Sequence, residues 1–388
     1  MVVIPFQKGS NAERSRFRNR QAVLEQVRTA GTIGRAEIAR ALSLSTQTVS
    51  NIIAELLADG MLLEKGRLTA GRGLPAMQYA LNPEGGYALG IEVRPDAVFA
   101  ALLDMAGRAI HTERVALKET HPDMVLGHVS ALYAKALSKV PAATGRMLGA
   151  GVVMPGPFGV TGIAGMGSDL TGWQEVDATA LFTQSLGLPV VLSNDANAAA
   201  TAEHLNGMAQ DMSTFAYLYF GAGLGLGLIH KGQLVRGAFG NAGEIGHVPI
   251  PPQNQKLEDA LSRLSVQRHL QAANKKADSI DELTHLFDQS DPDVLAWLGT
   301  ATTALSHAVM IVENLFDPET IVLGGAMPDA FLDHLISNVT LPDLSVSNRP
   351  SPRHPRMMRG ASGRMTATLG AAAMILNRAL SAPISNTH

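Results

Sequence analysis

The chain has 388 residues, 46% of them hydrophobic, enough for two or three packed domains, and no cysteine, which excludes a disulfide framework and any thiolate metal site. Its net charge of −3 hides a split: residues 1–82 carry eleven Lys/Arg against six Asp/Glu, which leaves twenty against twenty-eight for the remainder. A basic head on an acidic body implies nucleic acid at one end only.

Val2-Val3-Ile4 before Pro5 is far short of an export-signal core, so a cytoplasmic protein is expected. The run Ala216 to Ile229, free of charged and strongly polar groups, is shorter than the ~18 residues that a membrane span needs. No membrane, metal or cofactor is expected.

In the head, the cationic stretch Arg14 to Arg20 reads as an arm leading into a first helix, with Val23, Leu24 and Val27 on one face and Gly31 at its end. A short helix over Arg35 to Ala41 follows. A third begins after Ser45, placed as its N-cap, with Val49, Ile52, Ile53, Leu56 and Leu57 at helical spacing. Its first turns offer Thr46, Gln47, Thr48, Ser50 and Asn51, short polar groups able to reach base edges and phosphates. A plainly solvated face would collect Glu and Lys instead. Two β-prone segments, Met61 to Lys65 and Ala76 to Leu81, flank a glycine-rich tip that carries Arg67 and Arg72. Helices, tight turn and hairpin make a winged helix-turn-helix, with the third helix in the major groove and the wing on the adjacent backbone. The two arginines suit the minor groove or generic phosphate contact. The partner expected is double-stranded operator DNA, bound by a homodimer because one head covers one half-site.

The body alternates strands with helices, an α/β pattern. Strands are expected at Ala88 to Val93, Ala97 to Asp104 and Met147 to Met154, and a helix at Pro122 to Leu137. At Pro189 a short strand delivers Asn194-Asp195-Ala196-Asn197 onto an alanine-rich helix, where capping is the plain explanation. The run Tyr217 to His247 carries glycine at 221, 223, 225 and 227. It reads either as a backbone cradle for a bulky partner such as phosphate or as glycine-softened core strands with a turn at Lys231-Gly232. Residues 256–318 look helical, with Leu257, Leu261 and Leu264 on one face. A basic, proline-containing loop from Arg349 to Arg364 precedes a small-residue helix, Leu369 to Leu380.

The succession N-D-A-N-A-A-A, G-A-G-L-G-L-G, G-N-A-G-E-I-G-H and I-V-L-G-G-A resembles the ROK family of repressors and sugar kinases. The resemblance covers nearly the whole chain. It implies a two-lobed α/β sugar-kinase fold of the actin type behind the winged head: a head over 1–82, a first lobe over 83–193 with 369–388 packed back on it, and a second over 194–368. It also implies a sugar in the cleft. By motif, Asn194, Asp195, Glu244 and His247 would hold its hydroxyls, with Glu258 as a further carboxylate and Asp169 near the family's sugar-binding asparagine. Asp195 would be the general base in a kinase.

Two departures follow from the same resemblance. Where family kinases carry D-x-G-G-T for phosphate, this chain has Glu92-Val93-Arg94-Pro95-Asp96; proline removes a backbone donor and Asp96 adds negative charge. The family's zinc-binding cysteine cluster after the G-E-I-G-H motif is replaced by V-P-I-P-P-Q-N-Q-K. The expectation is therefore a sugar-responsive DNA-binding repressor that does not phosphorylate its ligand. The alternative is an ATP-dependent sugar kinase with an appended head.

Overall fold

The computed structural model describes residues 11–68, 76–156, 170, 172–173, 176–250, 255–360, 363 and 365–380. Arg72 and Asp169 lie outside these segments, as does the side chain of Arg67.

The head comprises α1 (Asn11–Ala30), β1 (Ile33–Gly34), α2 (Arg35–Ala41), α3 (Thr46–Ala58), β2 (Leu62–Leu68) and β3 (Ala76–Leu81). Ser45 caps α3, its hydroxyl accepting from the Thr48 N–H at 3.0 Å. Val49, Ile52, Ile53 and Leu56 share one core with Val23, Leu24 and Val27 of α1. The strands form a sheet in the order β1-β3-β2. Strand β1 was not expected, because two residues carry no periodicity.

Two expectations for the head are corrected. Arg14 to Arg20 is not a separate arm but part of α1, since nothing between Asn11 and Ala30 breaks a helix and arginine is a good helix former. There Arg16 pairs with Glu55 and Arg20 with Asp59 on the C-terminal side of α3, so these cations brace the head. Strand β2 also runs past Lys65 to Leu68, with an irregularity between Glu64 and Arg67 where Gly66 takes φ +91°.

A short turn at Pro83–Gly85 leads into the first lobe: β4 (Tyr87–Val93), β5 (Ala97–Asp104), β6 (Ala109–Ala116), α4 (Pro122–Lys139), β7 (Met147–Val153), α5 (Ala178–Leu186) and β8 (Val190–Ser193). The sheet order is β6-β5-β4-β7-β8, antiparallel through β4 and parallel from β4 to β8. Helices α4 and α5 bury Val125, Val129, Leu132 and Phe182 against it.

The second lobe follows α6 (Asp195–Asn206) with β9 (Phe215–Phe220), β10 (Leu224–His230), β11 (Gln233–Leu234), β12 (Pro249–Ile250), β13 (Gln255–Lys256), α7 (Leu257–Ala260), α8 (Arg263–Ala272), α9 (Ile280–Asp288), α10 (Pro292–Phe316), β14 (Ile321–Gly325), α11 (Asp329–Asn338) and β15 (Met357–Arg359). Its main sheet is ordered β11-β10-β9-β14-β15. The Lys231-Gly232 turn expected from the sequence joins β10 to β11, both residues at positive φ. Helix α10 is long and apolar enough to cross a membrane, yet its buried face, including Trp297, Leu298, Leu305 and Val309, belongs to the core of this lobe.

Here too the structure corrects the reading. Leu264 is exposed while Leu257 and Leu261 are buried, because α7 ends at Ala260 and Ser262 caps a new helix with a different face. The Arg349 to Arg364 stretch contains β15, which extends the sheet parallel to β14.

The last helix, α12 (Thr366–Leu380), begins three residues earlier than expected and packs on β4, β7 and α6 together. The approach is backbone to backbone. A Cβ at Gly90 of β4 would lie 2.1 Å from the Thr368 carbonyl oxygen, one at Gly151 of β7 1.9 Å from that of Ala371, and one at Gly370 of α12 2.1 Å from that of Ala198. The other end of α12 meets the head: Ala372, Ala373, Ile375, Leu376, Ala379 and Leu380 share the core of α1 and α3, and Gln21 Nε2 donates to the Arg378 carbonyl at 2.8 Å. Gly151→Ala should therefore destabilise the chain by ~1–3 kcal/mol through overpacking, whereas Gly127→Ala, on an open face of α4, should stabilise it by ~0.5–1 kcal/mol. Urea denaturation of the two variants beside the parent checks this.

Candidate functional site

Two surfaces hold the residues singled out from the sequence. On the head, Thr46, Gln47 and Asn51 are exposed on the face of α3 opposite its buried stripe. Gln47 Nε2 donates to Asn51 Oδ1 at 3.0 Å, which pre-arranges two amide groups side by side. Ser50 is half-buried; its hydroxyl donates to the Thr46 carbonyl and accepts from Arg35 at 3.1 Å. Thr48 is drawn into the cap, 2.8 Å from the Ser45 hydroxyl. Arg35, at the start of α2, thus places a cation beside the polar face of α3. Its contact joins residues fifteen positions apart, beyond any local pattern in the sequence.

The second surface is built around the start of α6. Asn194 is the N-cap of α6, and its Oδ1 accepts from the Asn197 N–H at 2.9 Å, so the plain capping explanation holds for that oxygen. Asp195 opens the helix and accepts from the Ala196 N–H at 2.9 Å. The glycine run has a steric purpose here. Cβ atoms at Gly225 and Gly227 would lie 2.7 Å from the Ala196 Cβ and 2.4 Å from the Ala196 oxygen, so these glycines seat β10 on α6. At the tip of the β9–β10 hairpin, a Cβ at Gly221 would stand 3.1 Å from Asp195 Oδ2 and one at Gly223 2.7 Å from Glu258 Oε2. Both carboxylates therefore lie against one hairpin tip. The position of a Gly156 Cβ is 3.4 Å from Glu244 Oε1 and 3.9 Å from the Asn194 Cβ.

His247 sits between two carboxylates: Nε2 is 3.7 Å from Glu244 Oε2 and Nδ1 is 3.8 Å from Glu258 Oε1. Lys256, which the sequence reading passed over, brings its Nζ to 3.2 Å from His247 Nδ1 and 3.6 Å from Glu258 Oε1. Asn194, Asp195, Glu244, His247 and Glu258 are thus brought close together around the start of α6 and the tip of the β9–β10 hairpin. Among the described residues there is no cluster of His, Cys, Asp and Glu arranged to hold a metal ion.

Beside Asp195, Glu92 is buried between two donors, Thr368 Oγ1 at 2.6 Å and Arg94 Nε at 2.6 Å. The Arg94 guanidinium lies over the Phe99 ring, 4.4 Å from its centroid. Burial opposes its charge, but Glu92, Tyr219 and Asp96 together outweigh that effect, and its pKa is raised.

The ROK family model matches residues 88–378, three quarters of the chain. The chain belongs to the ROK family. It is 24% identical over 315 residues to a xylose repressor of Bacillus spizizenii, covering 79% of this chain and 81% of that protein. A crystal structure of a ROK family transcriptional regulator, described as a homolog of the Escherichia coli Mlc protein, superposes with a TM-score of 0.76 at 23% identity, over 95% of this chain and 97% of that one. A ROK hexokinase from Thermus thermophilus gives 0.57 at 24% identity over 74% of this chain and 97% of its own. The ROK sugar-kinase-like fold is thus shared with both.

Within this ROK chain, burial pushes the Asp195 carboxyl up to about 7, with Glu92 adding to the rise and the Ala196 N–H and Arg94 opposing it. Burial also raises Glu244, with His247 opposing and Glu258 adding. For Asp195 the consequence for stability has a definite sign. Between its ordinary value of 3.8 and about 7 the folded chain keeps a proton that the unfolded chain has lost, so stability falls as pH rises through that window. The loss is at most ~4 kcal/mol and is complete above pH 7. Asp195→Asn should therefore be more stable than the parent at pH 8, with the advantage shrinking toward pH 4.5, as urea midpoints at the two pH values would show.

Proposed function

We propose that the chain is a sugar-responsive transcriptional regulator, a repressor that binds an operator through α3 and a sugar in the cleft without phosphorylating it. One observation carries the reading: α12 is hydrogen-bonded to the head near one end, through Gln21 and the Arg378 carbonyl, and to the cleft near the other, through Thr368 and Glu92. A ligand that draws the lobes together acts on the same helix that seats the head. It changes operator affinity only by its different affinity for the two arrangements. The exposed amides of α3 and the basic balance of the first 82 residues support DNA as the partner. A homodimer would join two heads on paired half-sites. Relatives named xylose repressors make a pentose the first effector to try.

The phosphate end supports binding over transfer. Arg94 and Pro95 stand in the β4–β5 turn where the family's kinases place two glycines, Asp96 adds a negative charge beside them, and the Arg94 side chain is held by Glu92 over Phe99. One observation favours the second reading, a sugar kinase: a carboxyl near 7 at Asp195 suits a general base. Operator fragments selected from genomic DNA, titrated with the protein in saturating D-xylose, D-glucose and further sugars, test the proposal. One sugar should change operator affinity at least tenfold, with no turnover of ATP. Unchanged binding across the panel would refute it, and ATP turnover abolished by Asp195→Asn would establish the kinase.

A further inference from the structure

We propose that Lys256 is the positioning residue of the cleft, fixing the tautomer of His247 and taking over the structural task that a metal-bound loop has in relatives with cysteines. The inference rests on the reading of this cleft as a sugar site and deepens it. A lysine ammonium has three donors and no acceptor, so its contact with His247 Nδ1 at 3.2 Å requires that nitrogen to offer a lone pair. In the neutral ring the proton then resides on Nε2. The alternative partner of Nδ1 is Glu258, whose Oε1 stands 3.8 Å away and accepts only from a protonated Nδ1. Lys256 and Glu258 therefore call for opposite tautomers of the same ring, and the lysine, at 3.6 Å from that carboxylate, stands where it satisfies both acceptors.

The family's zinc does not fit these residues. The chain has no cysteine, and the Nδ1 lone pair of His247 is occupied by the ammonium. Lys256 lies in β13, paired in register with Pro249 of β12, so a two-stranded ribbon, stiffened by that proline, returns the lysine to the histidine. The rebuilt loop thus carries its own cation.

The tautomer decides what the site reads. With the proton on Nε2, His247 presents a donor 3.7 Å from Glu244 Oε2, too far apart for the two to bond directly. A hydroxyl between them accepts from Nε2–H and donates to the carboxylate, using both of its capacities. A protonated amine has no lone pair for Nε2–H, and a deoxy position offers neither function. The site is therefore built for a neutral polyol hydroxyl at this position.

The test needs no sugar, so a failed effector search and a failure of this inference are distinguishable. Long-range 1H–15N NMR of the histidine rings in the full chain, with His247 assigned by loss of its signals in His247→Gln, reads the tautomer directly. The expected result is a proton on Nε2 in the parent and in Lys256→Arg, which keeps a donor, and a proton on Nδ1 in Lys256→Met, where Glu258 becomes the partner. The backbone amide spectrum confirms that each variant is folded. A proton on Nδ1 in the parent, an unchanged tautomer in folded Lys256→Met, or one zinc ion per chain bound through His247 would each overturn the proposal. Should Lys256→Met not fold, the parent and Lys256→Arg spectra decide alone.

Discussion

A helix laid with its backbone directly on a sheet and on a second helix leaves no slack, and α12 is held in this way on three sides. The carbonyls of Thr368 and Ala371 occupy the space that side chains at Gly90 and Gly151 would need, and Gly370 admits the Ala198 carbonyl in turn. Interiors packed at this density shift between discrete arrangements rather than deform smoothly. A displacement of β4, β7 or α6 is therefore felt along α12. Because the outer face of the helix completes the core of α1 and α3, the head has no separate foundation on which to ignore it.

Two groups of polar residues on either side of Asp195 differ in the same physical terms. Around Asn194, Glu244, His247 and Glu258, Lys256 stands between His247 Nδ1 and Glu258, while His247 Nε2 and Glu244 Oε2 are 3.7 Å apart, too far to bond directly. On the other side Glu92, Arg94 and Thr368 satisfy one another at 2.6 Å. The first group leaves the His247–Glu244 pair unbonded; the second is closed upon itself. Asp195 lies between, and its raised pKa comes chiefly from burial, so it informs on the environment more than on the chemistry performed there.

Much of this was legible in the residues. The spacing of Val49, Ile52, Ile53 and Leu56 and the cap at Ser45 defined α3, because amphipathic periodicity and capping are local signals. The cleft carboxylates were legible only as a succession of motifs, since their meeting depends on contacts between distant segments. The glycine run was ambiguous for a related reason. Glycine marks close approach without saying of what, and here the neighbours of Gly225 and Gly227 are the backbone and methyl groups of α6. What escaped was non-local: the braces from Arg16 and Arg20 to α3, the strand β15, and the return of Lys256 to His247. None of these contacts is written in a window of neighbouring residues.

Native-state hydrogen exchange on the parent and on Thr368→Val tests the dependence of the head on α12 most directly. The amides of Ala371 to Leu376 in α12 and of Val23 to Val27 in α1 should open with the same free energy, and loss of the Thr368 hydrogen bond to Glu92, a charge-assisted bond of ~1.5–3 kcal/mol, should lower both together. A head that opens independently of α12, or an effect of the variant confined to the first turn of that helix, would contradict the account.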